Sequence, residues 1–376
     1  MSVHLAVVAA GFRPGMMERR ILGLSLLERN ILFACQAGAE RVLVVFPAAA
    51  EERVRRQAEA ARRPNLTFTI EYRCVAEAVP PPVPEPFVFL QDGCVYHPEA
   101  IREAMARGGG TPSALADAAD RAAFLRAEKA LLQLGRKPLD GFIARTVNRR
   151  ISLFLTRRLL RIGMTPMPMS FVTLLVGLLS GWLVGRGTYP YFALAGFVFQ
   201  MASVLDGCDG EIARLTFRAS SLGARIDQYG DITSYFAFII NLPLGVALAT
   251  SNSLYLALGA AVYVGIVGYY SVLIFFARRF KLDHVISISK NIEKESRDVR
   301  RAGVVAWLAG RLAFLYRRDV FTFIFFLVMA IPGGAVVLLW LLSVFMPLQF
   351  FYFLVYTWRR ARAAKAQAPA TRAASS

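Results

Sequence analysis

Up to about Arg161 the chain alternates short apolar runs with amphipathic ones, and beyond Phe171 the apolar runs become long and nearly continuous. In the first part "VHLAVVA" and "RVLVVF" have the pattern of buried strands, while "SLLERNILFACQAG" and "EERVRRQAEAARR" have helical periodicity. "LTFTIEYR" and "FVFLQDGCV" add strands, and "PEAIREAMARG" adds a helix. Strands alternating with helices predict an α/β domain on a parallel, Rossmann-like sheet over residues 1–130.

The second part predicts an all-α polytopic membrane domain over residues 167–358, because a span needs about 20 apolar residues. Six transmembrane helices are expected, near Phe171–Gly185, Tyr189–Leu205 running on into the acidic stretch, Ile232–Thr250, Leu254–Ala277, Val320–Ile331 and Val336–Thr357. Between the two parts, residues 131–166 read as a linker and an amphipathic juxtamembrane helix. Ile143, Val147, Ile151 and Phe154 recur at helical spacing, with Arg145, Arg149, Arg150, Arg157 and Arg158 on the remaining faces, a pattern suited to a membrane surface. Residues 359–376 form a basic tail that is expected to be disordered.

The net charge of +18 reads first as topology. The connectors "RGTYP", "SNS" and "PGG" hold only Arg186, whereas the opposite ones hold Arg214, Arg218, Arg225, Arg278, Arg279, Lys281, Arg317, Arg318 and "RRARAAK". The positive-inside rule then puts both termini and the acidic stretch on the cytoplasmic side of the inner membrane, facing its lipids. The basic residues follow the spans and match no nucleic-acid motif, so no nucleic-acid partner is expected. Cys35, Cys74, Cys94 and Cys208 form no CxxC pair and imply reduced thiols. The start "MSVHLAVVAAGF" has the pattern of a first strand, not of a signal peptide.

Chemistry concentrates in "DGCDGEIARLTFRASSLGARIDQYGD", at the edge of a span. Asp206 and Asp209 are three apart, and Gly223, Asp227 and Asp231 step by four. Both offsets share one helix face, so two helices can each aim a pair of carboxylates at one point. Clustered carboxylates repel unless a cation intervenes, and an all-oxygen set suits Mg²⁺, Mn²⁺ or Ca²⁺ better than zinc. Gly210, Ala213 and Gly223 leave room for a ligand to approach the backbone, and Arg214 offers a fork for phosphate. Metal ligands, space and an arginine together describe a site for a diphosphate compound.

The stretch fits D-x2-D-G-x2-A-R-x8-G-x3-D-x3-D at every fixed position. It resembles the signature of the CDP-alcohol phosphatidyltransferase family. That resemblance implies a six-helix membrane enzyme of phospholipid biosynthesis holding two metal ions, Mg²⁺ with Mn²⁺ able to replace it. Such an enzyme moves a phosphoalcohol group from a CDP-alcohol donor to an alcohol or phosphorylated polyol acceptor and releases CMP. It further implies that Asp206, Asp209 and Asp227 are metal ligands, and that Asp231 is the general base and also touches metal. Gly210, Ala213, Arg214 and Gly223, with Asp206, would shape the nucleotide pocket. Arg278, Arg279, Arg317 and Arg318 flank the later spans as candidates for an acceptor phosphate, and a homodimer is expected from the same resemblance.

"DGFIARTVNRRISLFLTRRL" followed by "TP" looks like the juxtamembrane helix of family members fused to a nucleotidyltransferase-like domain, with Met167 where those members have Asn. "VVAAG", "ILGLSLLERNILFACQAGAERVLVV" and "FLQDGCVYHPEAI" resemble a sugar-phosphate nucleotidyltransferase, in which a residue like Asp92 helps bind metal. The loop "AAGFRPGMMERR" lacks the GxGxR order, and Leu24 and Ser25 replace the usual lysine and proline. The favoured expectation is therefore a degenerate domain that serves as scaffold or regulator. The alternatives are a bifunctional enzyme that also makes its CDP-alcohol from CTP, and a non-catalytic cation-binding membrane protein.

Overall fold

The computed structural model describes residues 4–78, 82–83, 85–136, 144–279 and 318–373. The chain divides into two compact units that do not follow the expected domain boundaries. The first comprises Met1–Asp140, Arg149–Ser170 and Asp206–Asp227, and the second Gly141–Asn148, Phe171–Leu205 and Gln228–Ser376. The acidic stretch up to Asp227 thus belongs with the α/β sequence, not with the spans.

In the first unit β1 (Leu5–Ala9) is the buried centre of a sheet. A short pair, β2 (Arg20–Ile21) and β3 (Leu24–Ser25), leads into helix α1 (Leu26–Ala37). Ser25 caps α1 by accepting from the Glu28 amide, and Glu28 reaches back to the Ser25 amide. Gly38, at φ 118°, ends α1 in the left-handed conformation that favours glycine. β4 (Arg41–Phe46), α2 (Glu51–Glu59), β5 (Thr69–Cys74) and β6 (Phe87–Leu90) follow. The sheet order is β5–β4–β1–β6, with every pairing parallel, and Val7 lies opposite both Leu43 and Phe89. The βαβ crossovers expected from the alternating pattern account for that order. β7 (Cys94–Val95), α3 (Pro98–Ala106), β8 (Ala116–Asp117) and α4 (Arg121–Leu132) complete the α/β part.

Helix α5 (Arg149–Arg161) continues from a π-helical turn over Ala144–Asn148. The expected apolar stripe is only partly described, since Ile143 lies outside the described residues. Ile151 and Phe154 are exposed while Arg149, Ser152 and Thr156 are buried. The buried face of α5 therefore carries Arg149, Ser152 and Thr156 beside Leu153 and Leu160, for a reason given with the site, while Ile151 and Phe154 are left outward.

The long helices are α6 (Pro166–Val184), α7 (Tyr189–Leu215), α8 (Ser221–Thr250), α9 (Leu254–Arg279), α10 (Arg318–Met329) and α11 (Gly334–Ala373). Among the described residues, five are long and apolar enough to cross a membrane, and α10 supplies a shorter apolar stretch, Val320–Met329. Helix α11 runs on through Ala373, where the expected disordered tail gives way to an alanine- and arginine-rich helical sequence. Within the second unit, Phe199 stacks on Phe238 at 4.6 Å and Phe238 lies 5.7 Å from Phe325, in a core shared by α7, α8 and α10. Helices α6 and α8 touch through their backbones: a Cβ at Gly245 would lie 2.0 Å from the Val184 carbonyl oxygen. Lipid supplies no hydrophobic drive between spans, so small residues that permit such approach become the adhesive. Trp182, Leu248 and Val264 stay exposed on the outer faces, a surface for hydrocarbon to cover.

Candidate active site

Helix α7 runs on into the acidic stretch, α8 begins before the expected span at Ile232, and residues 216–220 join them. This places Asp206, Asp209, Gly210, Ala213 and Arg214 on the last turns of α7, and Gly223, Asp227 and Asp231 on the first turns of α8. Carboxylate oxygens of Asp206 and Asp227 lie within 4.8 Å of each other. Asp231 follows one turn along α8. All three are half-buried. Asp209 is buried, faces Asp227, and accepts from the Ser170 hydroxyl at 2.6 Å. An all-oxygen group this close fits a hard divalent cation, whose charge offsets the mutual repulsion.

The end of α7 is held by contacts the sequence did not disclose. Glu211 is fully buried and accepts from the Arg149 guanidinium at 2.7 Å, the Ser152 hydroxyl at 2.6 Å and the Thr156 hydroxyl at 2.7 Å. Arg149 also donates to the Gly207 carbonyl at 3.3 Å. These bonds explain why α5 buries Arg149, Ser152 and Thr156: a buried carboxylate needs an opposite charge and a full set of donors. Arg214 turns its Nε toward the Gly135 carbonyl at 2.8 Å. Gly210 lies against it, since a Cβ there would sit 3.1 Å from the Arg214 Nη1. Gly223 donates its N–H to the Ser220 hydroxyl at 3.0 Å, starting α8.

Helix α7 stops in a Schellman turn. The Arg218 N–H bonds the Ala213 carbonyl at 2.9 Å, the Phe217 N–H bonds that of Arg214 at 3.4 Å, and Phe217 adopts φ 57°. Glycine is usual there, and a left-handed aromatic residue costs about 1–2 kcal/mol. The Phe217 ring meets Phe33 edge-on at 5.7 Å.

In the second unit Asp231 forms part of the wall of a cavity of about 480 Å³. The rest of its lining is largely apolar, from Phe199 and Ile232 through Phe321 and Leu342 to Phe345, with Tyr235, Tyr269 and Tyr270 among them. Of the arginines considered for an acceptor phosphate, Arg278 and Arg279 close α9 and Arg318 opens α10, while Arg317 lies outside the described residues.

The loop after β1 does not stand open. The Arg13 amide donates to Asp92 Oδ2 at 2.7 Å, and the Gly11 and Phe12 amides point to the same carboxylate. Gly11 makes this turn at φ 80°, where a Cβ would sit 2.6 Å from that of Ala50. Arg13 also pairs with Asp117 at 2.8 Å, which holds that carboxyl below its usual range. Burial raises the Asp92 carboxyl above the ordinary value, opposed by the amides of Arg13, Phe12 and Gly11. Amides that would cradle a nucleotide phosphate are thus engaged by the chain's own anion. The full chain, given CTP, Mg²⁺ and a panel of sugar phosphates, is expected to release no pyrophosphate. Release above the no-enzyme rate would return this domain to catalysis.

The geometry agrees with comparison to known proteins. The CDP-alcohol phosphatidyltransferase family matches residues 159–346, half of the chain, and the chain belongs to that family. A Thermococcus kodakarensis protein named bifunctional IPC transferase and DIPP synthase is 41% identical over 92 residues, 24% of this chain and 20% of that protein. Its Archaeoglobus fulgidus namesake is 35% identical over 120 residues, 32% of this chain and 24% of the relative. The Aquifex aeolicus one is 35% identical over 122 residues, 32% and 27% of the two chains. The matched segments thus span about a quarter of these relatives' lengths.

Proposed function

We propose that this chain is an integral membrane phosphotransferase that moves a substituted phosphate from a CDP-alcohol to an acceptor alcohol and releases CMP. The observation that carries this reading is the approach of Asp206 and Asp227, with Asp231 one turn beyond, inside a complete family signature. Asp206, Asp209 and Asp227 would hold divalent metal, two ions of Mg²⁺ or Mn²⁺, with Asp231 as a further candidate ligand. Held by these carboxylates, such ions would supply positive charge to offset that of the diphosphate and of the departing CMP. Asp231 accepts the proton of the acceptor hydroxyl. That oxygen bonds the β-phosphorus, and the bond from this phosphorus to the bridging oxygen breaks, leaving the electron pair on CMP.

The cavity beside Asp231 favours one assignment of the two alcohols. A wall of phenylalanine, isoleucine and leucine suits an apolar body, so the acceptor is a lipid alcohol and the CDP-alcohol carries the polar group. The engaged loop at Asp92 speaks against a second activity that makes the donor from CTP. The excess of arginine in the connectors beside the motif supports a cytoplasmic site, where CDP-alcohols are dissolved.

The test is CMP release by the purified chain from CDP-alcohols with lipid or soluble acceptors, with the product identified by mass spectrometry. A lipid product is expected. Chelation should abolish turnover and added Mg²⁺ or Mn²⁺ should restore it. Turnover that persists in excess chelator would overturn the reading, and a water-soluble product would reverse the assignment of the alcohols.

A further inference from the structure

Two buried arginines of the α/β sequence end on the last carbonyls of α7. Arg29 is almost wholly buried, and its Nη2 donates to the Ile21 carbonyl at 2.9 Å, Leu22 at 3.1 Å and Leu215 at 3.2 Å. Arg63 donates through Nε to the Thr216 carbonyl at 3.2 Å, while its Nη2 holds Glu28 at 2.6 Å. Glu28 is the same residue that closes the capping box of α1. The last carbonyls of a helix lack intrahelical partners and carry the negative end of its dipole, so guanidinium donors suit them. Burial lowers the Arg29 pKa to about 10, and it stays protonated at neutral pH.

Phe217 supplies an independent observation. A bulky residue persists at positive φ only where its surroundings over-determine it. Its ring is set against Phe33, which also lies 5.5 Å from the Arg29 guanidinium. A glycine would relieve the backbone but lose that contact. The turn therefore gives up local comfort to attach α7 to α1.

We infer that the α/β domain acts as a clamp on α7: Arg29, Arg63 and the Phe33–Phe217 contact are positioning elements that set the register of Asp206 and Asp209. The closed loop at Asp92 and this clamp give one account of the domain, in which it no longer processes a nucleotide of its own but fixes the helix that carries the metal ligands. The catalytic part of this inference rests on the phosphotransferase reading, and the mechanical part does not.

The experiment compares the full chain in detergent with a Glu28→Gln/Arg63→Met double variant, which removes the bond to Thr216 without stranding a buried carboxylate. Phe33→Leu is the milder companion, keeping apolar volume while losing the ring edge. Hydrogen exchange over residues 206–218 is expected to quicken at least tenfold in both, with the spans of the second unit unchanged. The Mg²⁺ concentration that half-saturates CMP release is expected to rise severalfold, and excess Mg²⁺ should restore most of the rate. Unaltered exchange over 206–218 in either folded variant overturns the clamp. Faster exchange with an unchanged Mg²⁺ requirement and rate overturns its positioning role. A double variant that does not fold leaves the decision to Phe33→Leu. A wild-type chain that releases no CMP defeats the phosphotransferase reading, while hydrogen exchange still decides the clamp.

Discussion

Asp231→Asn is expected to lower CMP release by about 10²–10⁴-fold, the usual contribution of a positioned general base. Asparagine keeps the size and the carbonyl oxygen of the side chain but cannot accept the acceptor's proton at neutral pH. Because Asp231 is half-buried on the first turns of α8, the change should leave insertion and elution of the protein as they are. The measurement is the rate at saturating donor and acceptor, with the Mg²⁺ requirement determined alongside. A metal requirement that moves while the rate at saturating Mg²⁺ recovers would make Asp231 a ligand and not the base. A folded variant with undiminished turnover would remove it from the mechanism.

Glu211→Ala should be the most destabilising single change in the acidic stretch. Its carboxylate is fully buried and receives a guanidinium and two hydroxyls from α5. Removal strands the Arg149 charge, itself buried, and losing one partner of such a pair costs about 3–5 kcal/mol. The loss is read from the midpoint of unfolding by SDS in mixed micelles. Glu211→Gln keeps an acceptor for the hydroxyls and should cost less. A loss under about 1 kcal/mol in the alanine variant would mean that α5 is held by other contacts and that the network is incidental.

Glu211 also marks where reading the sequence reached its limit. In the signature it occupies a free position, and nothing in its neighbourhood sets it apart from a solvated acid. Its partner Arg149 reads as one arginine among several on the polar faces of an amphipathic helix, because hydropathy cannot tell a polar residue turned to water from one turned to a buried charge. Arg29 and Arg63 were hidden in the same way, each bonded to residues more than 150 positions distant. Features with a fixed local period were plain. The parallel sheet followed from alternating runs, the spans from their length, and the two carboxylate pairs from offsets of three and four. Composition separates strands from spans but does not show that the turns carrying Asp206–Asp227 are compact with the α/β sequence.

Asp227 and Asp231 lie on one unbroken helix, so about 6 Å of axial rise separates them at 1.5 Å per residue. α8 serves as a ruler, and no bending of its surroundings can shorten that interval without unwinding a turn. Variation among substrates must then be absorbed elsewhere, by the walls that face the ruler. Evolution of a new acceptor preference would accordingly be written in the aromatic and aliphatic side chains around Asp231, with the spacing of the acids left untouched.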